Sequence, residues 1–400
     1  MAIVLFILGF TQLFLDMGLS TAILHKQDIS KKEYGSLYWV NFIFSLVLYL
    51  LIWSIAVPVA NFYQEPELIN IMPIMGISII LSALGRQFRT IEEKGLNFKF
   101  ISIVAITGSL LSLLVSAILA MNDFGVYALV YGGITLHLVT NLTFFVVGIY
   151  KNGLLFRLVF SETKPFLRIG LYHVGGQIIN YFNRDLDILL IGKFFGSETL
   201  GGYSLAKELV FRPIKTVNPI LTKVASPVLA KFQSNKEELS RNYLKLVNLV
   251  ASINIPIYFM IILTAPILIR ILYGPGFEDI ETLVRILSLY VIFRSIGNPI
   301  IALIVATGRT ELNFIWSLVT LVVMPIAVVI GSQYSIEAVA ICLTLASALL
   351  FVPNWWLLVR KMIGVELLTY MYWIIPGLTF FKDRERYKNQ LIGFIQSKFR

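Results

Sequence analysis

Some twelve apolar stretches succeed one another along this 400-residue chain, and the short polar segments between them sort Lys and Arg to alternate sides. One set of segments holds eighteen cations, among them Lys26, Lys31 and Lys32, then Arg86, Arg89, Lys94 and Lys99, then Lys151, Arg157, Lys164 and Arg168; the intervening set holds only Lys193 and Arg270. Segments that stay in the cytoplasm retain positive charge, so the rich set is cytoplasmic. A backbone in hydrocarbon must satisfy its own hydrogen bonds, and stretches of roughly 20 apolar residues do so as membrane-crossing helices. The expectation is an all-α integral membrane protein with no sizeable domain on either side.

The stretches run over 1–23, 37–60, 69–84, 100–121, 126–150, 169–194, 200–232, 244–271, 283–306, 312–330, 336–358 and 367–380. That predicts about 11–12 spans, the last being marginal, and 69–84 can continue through Gln87 to Ile91. The composition agrees, with 57% hydrophobic and 14% charged residues. The net charge of +10 is loop topology; its cations are scattered over short loops and form no basic domain, so nucleic acid is not an expected partner. Cys342 is the one cysteine and lies within an apolar stretch, which rules out an internal disulfide. The three histidines, His25, His137 and His173, lack metal-ligand spacing, Asp185 and Asp187 lie in an apolar span, and there is no Walker loop. No metal, no cofactor and no enzymatic activity are expected.

Two sequence echoes point to duplicated halves. Glu93-Lys-Gly-Leu-Asn-Phe98 matches Gly308-Arg-Thr-Glu-Leu-Asn-Phe314, with Leu-Asn-Phe at the entry of the next span in both. Phe62-Tyr63 and Leu272-Tyr273 each close a span before an outer turn rich in Gly, Pro and acids. The offsets, 216 and 210 residues, are similar and near half the chain, as in transporters built of two lobes. The reading divides the chain into an N-terminal lobe of five helices (1–150), a C-terminal lobe of six (151–362), and a partial helix with a basic tail (363–400). The same offset pairs Met1 with the start of the 200–232 span, so the first lobe is expected to lack a helix equivalent to 169–194.

Charged side chains inside the spans are the candidate functional residues, because each costs about 2.5–3.5 kcal/mol at the bilayer centre. Gln177, Asn180, Arg184 and Asp187 follow a 3-4-3 spacing, which places them on one helical face. Ser204, Glu208, Arg212 and Lys215 do the same in the next span, with Lys223 two turns on; Arg294 stands alone in the ninth, and Gln12 and Asp16 are one turn apart in the first. The stripes should face a hydrated central cavity. Snorkelling is the competing reading for Lys207, Lys223 and Arg212, and internal pairing of Arg184 with Asp187 and of Glu208 with Arg212 is another. The cations Arg184, Arg212, Lys215, Lys223 and Arg294 outnumber Asp187 and Glu208, which favours a phosphate or pyrophosphate ligand. Gln12, Asp16, Gln177, Asn180, Asp187 and Glu208 supply further polar lining and candidate ion-coupling groups. Asp16, lacking a partner, should face the central opening or a groove along Gln12, Asp16 and Ser20.

Phe10-Thr-Gln-Leu-Phe-Leu-Asp-Met-Gly-Leu-Ser-Thr-Ala-Ile23 resembles the second helix of Wzx-type polysaccharide flippases. Tyr181-Phe-Asn-Arg-Asp-Leu-Asp-Ile-Leu-Leu-Ile-Gly192 and Leu200-Gly-Gly-Tyr-Ser-Leu-Ala206 resemble their seventh and eighth helices. The resemblance covers about residues 1–365 and runs closest to the colanic-acid and teichuronic-acid exporters; against their pattern the chain is expected to lack the first helix. It places the chain beside the multidrug/oligosaccharidyl-lipid/polysaccharide exporter superfamily, with two helical lobes around a central cavity. It implies a monomer in the bacterial cytoplasmic membrane that flips undecaprenyl-pyrophosphate-linked oligosaccharide by alternating access, among membrane lipids and beside the polysaccharide polymerase machinery. Two other readings are a cation-coupled small-molecule exporter of the same superfamily and a membrane polysaccharide polymerase or ligase. The latter normally needs a long external loop, and the longest here is about ten residues.

Overall fold

The computed structural model describes residues 1–16, 23 and 29–377, with side chains described for all of these except 16, 161–162, 164–177, 223–224, 227 and 310. Over the described residues every one of the twelve apolar stretches is helical. The helices are α1 (Ala2–Asp16), α2 (Lys31–Tyr63), α3 (Leu68–Lys94), α4 (Phe98–Met121), α5 (Val126–Asn152), α6 (Phe160–Ala230), α7 (Lys236–Tyr273), α8 (Glu281–Gly297), α9 (Ile300–Thr307), α10 (Thr310–Gly331), α11 (Ile336–Asn354) and α12 (Leu367–Ile374). Eight helical segments among the described residues are long and apolar enough to cross a membrane. One of these joins α8 and α9 across the break at Asn298 and Pro299, and another runs from α11 through a π-helical turn at Trp355–Arg360 to Ile363.

Local chemistry sets the helix ends. α2 begins in a capping box, in which the Ser30 hydroxyl accepts from the Glu33 N–H at 3.2 Å and the Ser30 N–H donates to the Glu33 carboxylate at 2.8 Å. Asn235 caps α7 and Ser335 caps α11 in the same sense. α6 is two helices in one: its backbone breaks at Gly196, where φ is +80° and ψ 179°, a conformation that only glycine adopts without strain. The break coincides with the boundary between two compact units, Met1–Lys193 and Phe194–Arg400. The first arm of α6 therefore belongs with α1–α5, and the second with α7–α12. The expected lobes, 1–150 and 151–362, divide the chain by topology, and that division stays a proposal.

In the first unit α3 packs against α2 and α5, α4 packs against α5, and α1 lies on α2 and α3. Small residues permit the closest approaches, as is usual where apolar surface alone cannot drive helix association. A side chain on Gly85 would run into the main chain of Asn141, and one on Gly148 into the Phe88 ring. An aromatic cluster of Tyr38, Phe88 and Phe144 with Val104 packs near the C-terminal ends of α3 and α5, joined by Trp39, Phe100 and Leu154. Beneath it the Glu92 carboxylate accepts from Lys151 Nζ at 2.9 Å and from the Asn97 amide at 2.6 Å, tying α3 to α5 and to the start of α4.

In the second unit α8 packs against α7 and α11, and α10 packs against α11. Buried amides bind the helices: Asn254 donates to the Asn218 side chain at 2.9 Å, and Asn218 donates to the Ser295 carbonyl at 3.3 Å. The Asn248 amide donates to the carbonyls of Trp373 and Ile375, at 2.9 and 2.7 Å, and so holds α12 against α7. The 367–380 stretch was expected to be a marginal span. Its helix covers eight residues, Leu367–Ile374, roughly 12 Å at 1.5 Å per residue, far less than the hydrocarbon thickness. Residues 378–400, including the basic tail, lie outside the described residues.

Candidate functional site

The first unit contains a cavity of about 830 Å³ whose walls come from five helices. α1 contributes Gly9, Gln12 and Leu13; α3 contributes Ser82, Arg86, Arg89, Thr90 and Glu93; α4 contributes Ile101, Ala105 and Ser109. α5 supplies Leu136, His137, Thr140, Asn141 and Phe144, and the first arm of α6 supplies Asn180, Tyr181 and Arg184. Arg86, Arg89 and Glu93 lie in the last turns of α3, next to a loop that the charge pattern makes cytoplasmic. The cavity thus occupies the cytoplasmic half of the unit.

Among the described residues, three guanidinium groups line it against one carboxylate, Glu93. Arg89 Nε lies 3.0 Å from Glu93 Oε1, one turn along the helix. Arg184 Nε lies 2.7 Å from Asp185 Oδ2, and its guanidinium lies 5.1 Å from the centre of the Tyr181 ring. Both arginines keep about half of their side chain exposed beside these carboxylates. The rest of the polar wall is neutral: amides from Gln12, Asn141 and Asn180, hydroxyls from Ser82, Thr90 and Thr140, and His137, whose Nδ1 is 3.1 Å from the Ser82 hydroxyl. The wall is cationic and rich in groups that both donate and accept, the complement of a molecule carrying phosphate and hydroxyls.

Of the residues expected from sequence, Gln12, Asn180 and Arg184 meet in this cavity. Asn180 and Arg184, four residues apart on the first arm of α6, both line it. The side chains of Gln177, Asp16 and Lys223, and all of Ser20, lie outside the described residues. Asp187 Oδ1 accepts from the Ile188 N–H at 3.0 Å. Arg184 pairs with its neighbour Asp185. In the second unit Glu208 sits between Arg212 and Lys215, 3.4 Å from Arg212 Nε and 2.9 Å from Lys215 Nζ. All three are well exposed and carry one net positive charge as a group. Arg294 donates to the Tyr290 hydroxyl at 2.7 Å and lies 5.4 Å from the Phe211 ring centre. Lys207 does not snorkel: it is 7% exposed, with its ammonium 5.8 Å from the same Phe211 ring.

Sequence reasoning missed Arg86, Arg89, Glu93, His137 and Asn141. Arg86 and Arg89 were counted as loop cations because hydropathy falls after residue 84. The helix continues to Lys94 regardless. The signal was present: Ser82, Arg86, Arg89 and Glu93 follow a 4-3-4 spacing, the same kind of single-face stripe that singled out Arg184.

A family model described as "Polysaccharide biosynthesis protein" matches residues 1–281, well over half of the chain. The chain belongs to this polysaccharide biosynthesis protein family. Similar relatives include the teichuronic acid biosynthesis protein TuaB of Bacillus subtilis, 26% identical over 87% of this chain and 72% of the relative. The amylovoran biosynthesis protein AmsL of Erwinia amylovora is 28% identical over 90% of this chain and 94% of its own. The lipopolysaccharide biosynthesis protein WzxC of Escherichia coli is 28% identical over 85% of this chain and 68% of the relative. Among solved structures, the lipid II flippase MurJ in an inward closed conformation aligns with a TM-score of 0.72 at 15% identity, covering 95% of this chain and 92% of that one. An inward-facing multidrug resistance transporter of the MATE family and MOP superfamily aligns with a TM-score of 0.69 at 16% identity, covering 90% and 89%. At those identities the likeness is one of fold, and the fold of this family member is that of helical transporters. With its apolar helices and these relatives, it is a multi-pass bacterial membrane protein.

Proposed function

We propose that this protein moves a lipid-linked oligosaccharide from the cytoplasmic to the outer leaflet of the cytoplasmic membrane by alternating access, with undecaprenyl pyrophosphate as the carrier. The observation that carries the reading is the cavity in which Arg86, Arg89 and Arg184 converge with neutral amides and hydroxyls. Guanidinium forks match phosphate oxygens in pairs, and the amides and hydroxyls match sugar hydroxyls. The names of TuaB, AmsL and WzxC, and of the lipid II flippase with the similar fold, support the same substrate class. Arg212, Lys215, Lys223 and Arg294 of the second unit, with Asp187, Glu208, Gln177 and Asp16, are proposed as the further polar groups that the substrate meets during the cycle. Two topological lobes, with boundaries near 150 and 362, are the proposed moving bodies.

The small-molecule exporter reading draws on the similar fold of the multidrug transporter. Organic cations call for surplus acid, and among the described residues the one lining carboxylate, Glu93, already faces Arg89. A polymerase or ligase is disfavoured by the described outer connections, 64–67, 122–125, 274–280 and 332–335, which are all short. The test is complementation of a strain lacking its polysaccharide flippase. Arg86→Ala and Arg184→Ala should each sharply reduce surface polysaccharide and accumulate lipid-linked oligosaccharide in the inner leaflet, with normal protein in the membrane. Normal polysaccharide in both variants would sink the assignment, and drug resistance in place of polysaccharide would favour the exporter.

A further inference from the structure

Between α5 and α6 the chain runs without helix from Gly153 to Val159, on the side that the charge pattern makes cytoplasmic. This segment is strapped to α2. The Trp39 indole N–H donates to the Leu155 carbonyl at 3.1 Å, and the Val159 N–H donates to the Ser36 hydroxyl at 3.2 Å. Gly35 leaves room for the crossing, since a Cβ there would stand 2.8 Å from the Leu155 carbonyl oxygen. Leu154 reaches inward to the aromatic cluster that includes the cavity-wall residues Phe144 and Ile101.

The held backbone displays the opposite of what a water-facing loop displays. Phe156 is 89% exposed although its ring packs edge-on against Trp39 at 4.5 Å, and Tyr150, Leu158 and Phe160 are 91%, 55% and 65% exposed. Lys151 and Arg157 are interleaved with them, and Lys164 and Arg168 follow in sequence. Aromatic rings and cations at the cytoplasmic rim match the two components of a headgroup region, an apolar boundary and anionic phosphates. The alternation of exposed rings with Lys151 and Arg157 along the strap favours an anionic leaflet as the occupant.

We propose that the 150–160 strap is an interfacial anchor seated on the anionic lipids of the cytoplasmic leaflet. Phe156, Leu158 and Phe160 enter the acyl boundary, and Arg157 takes headgroup phosphate. The strap braces the aromatic wall of the cavity from outside, so lipid seating steadies the unit that holds the site. The anchor stands whether or not the transport reading does.

The test uses the full chain in a Cys342→Ala background, with a fluorophore on Phe156→Cys and, as a water-facing control, on Gln233→Cys. After reconstitution into phosphatidylcholine mixed with phosphatidylglycerol, iodide should quench the control and spare position 156. Brominated phosphatidylglycerol should quench position 156 more strongly than brominated phosphatidylcholine, and salt should reduce the difference. Arg157→Gln, which leaves both backbone tethers in place, should cut that lipid preference roughly fivefold, the effect of one cation at an anionic surface. Iodide access equal to that at Gln233 overturns the anchor and points to a protein-covered or solvated loop. Equal quenching by the two lipids overturns the anionic assignment.

Discussion

The Tyr273 hydroxyl donates to the main-chain carbonyl of Leu205 at 3.1 Å. Tyr63, its counterpart in the sequence echo, donates to the Leu189 carbonyl at 3.3 Å. Each tyrosine closes an outward-running helix and pins it to one arm of α6, on either side of the Gly196 break. The two echoed tyrosines thus each make a main-chain tether to α6, one in each unit. Lys193 strengthens the first, with Nζ 2.9 Å from the Phe62 carbonyl and 4.1 Å from the centre of the Phe62 ring.

Removing one hydroxyl without removing its ring isolates the tether. Tyr63→Phe and Tyr273→Phe should each lower stability by about 0.5–1.5 kcal/mol, the net worth of such a bond. Thermal unfolding of the detergent-purified protein measures this, and no change in either variant would mean the tyrosines are held by ring packing alone.

At the cavity, Arg86→Lys and Arg184→Lys should restore only part of the export lost in the alanine variants. Lysine keeps the charge and loses the planar fork. A charge-assisted hydrogen bond is worth about 1.5–3 kcal/mol, so the alanine variants should fall roughly ten- to a hundredfold in initial export rate. Full activity of the lysine variants would show that field, not fork geometry, holds the substrate.

Gly85 and Gly133 are both on the α3–α5 interface, yet they should respond differently to alanine. A methyl on Gly85 meets the Asn141 main chain, which cannot give way without moving the helix, while one on Gly133 meets the flexible tip of Met75 at 3.4 Å. Gly85→Ala should cost about 1–3 kcal/mol through overpacking, and Gly133→Ala close to nothing. Comparable melting temperatures for the two variants would contradict the close crossing.

Orientation is checked with single cysteines in a Cys342→Ala background. An impermeant maleimide applied to whole cells should label Glu67, Asn122 and Gln333 when each is replaced by Cys, and should miss Lys31, Asn152 and Asn235. The outer sites avoid Gln64 and Asp123, whose positive φ values of 58° and 60° would strain a cysteine. The reverse labelling would invert the membrane orientation and with it the direction of transport.

Hydropathy determined that this chain crosses a membrane many times, because it is a sum over neighbouring residues, and loop charge sets the proposed orientation in the same local way. Helical period alone put Asn180 and Arg184 on one face, since that depends only on the 3.6-residue turn. Tertiary structure decided what such a face meets. The stripe through Ser82, Arg86, Arg89 and Glu93 looked like a loop because charge lowers the local hydropathy, and it became a cavity wall because α1, α4, α5 and the first arm of α6 leave that side of α3 uncovered. The arm carrying Arg184 packs within the first unit, where Tyr181 reaches the Phe6 carbonyl at 2.6 Å and Tyr63 reaches Leu189. Those contacts join residues more than a hundred positions apart, and no local sum along the chain encodes them.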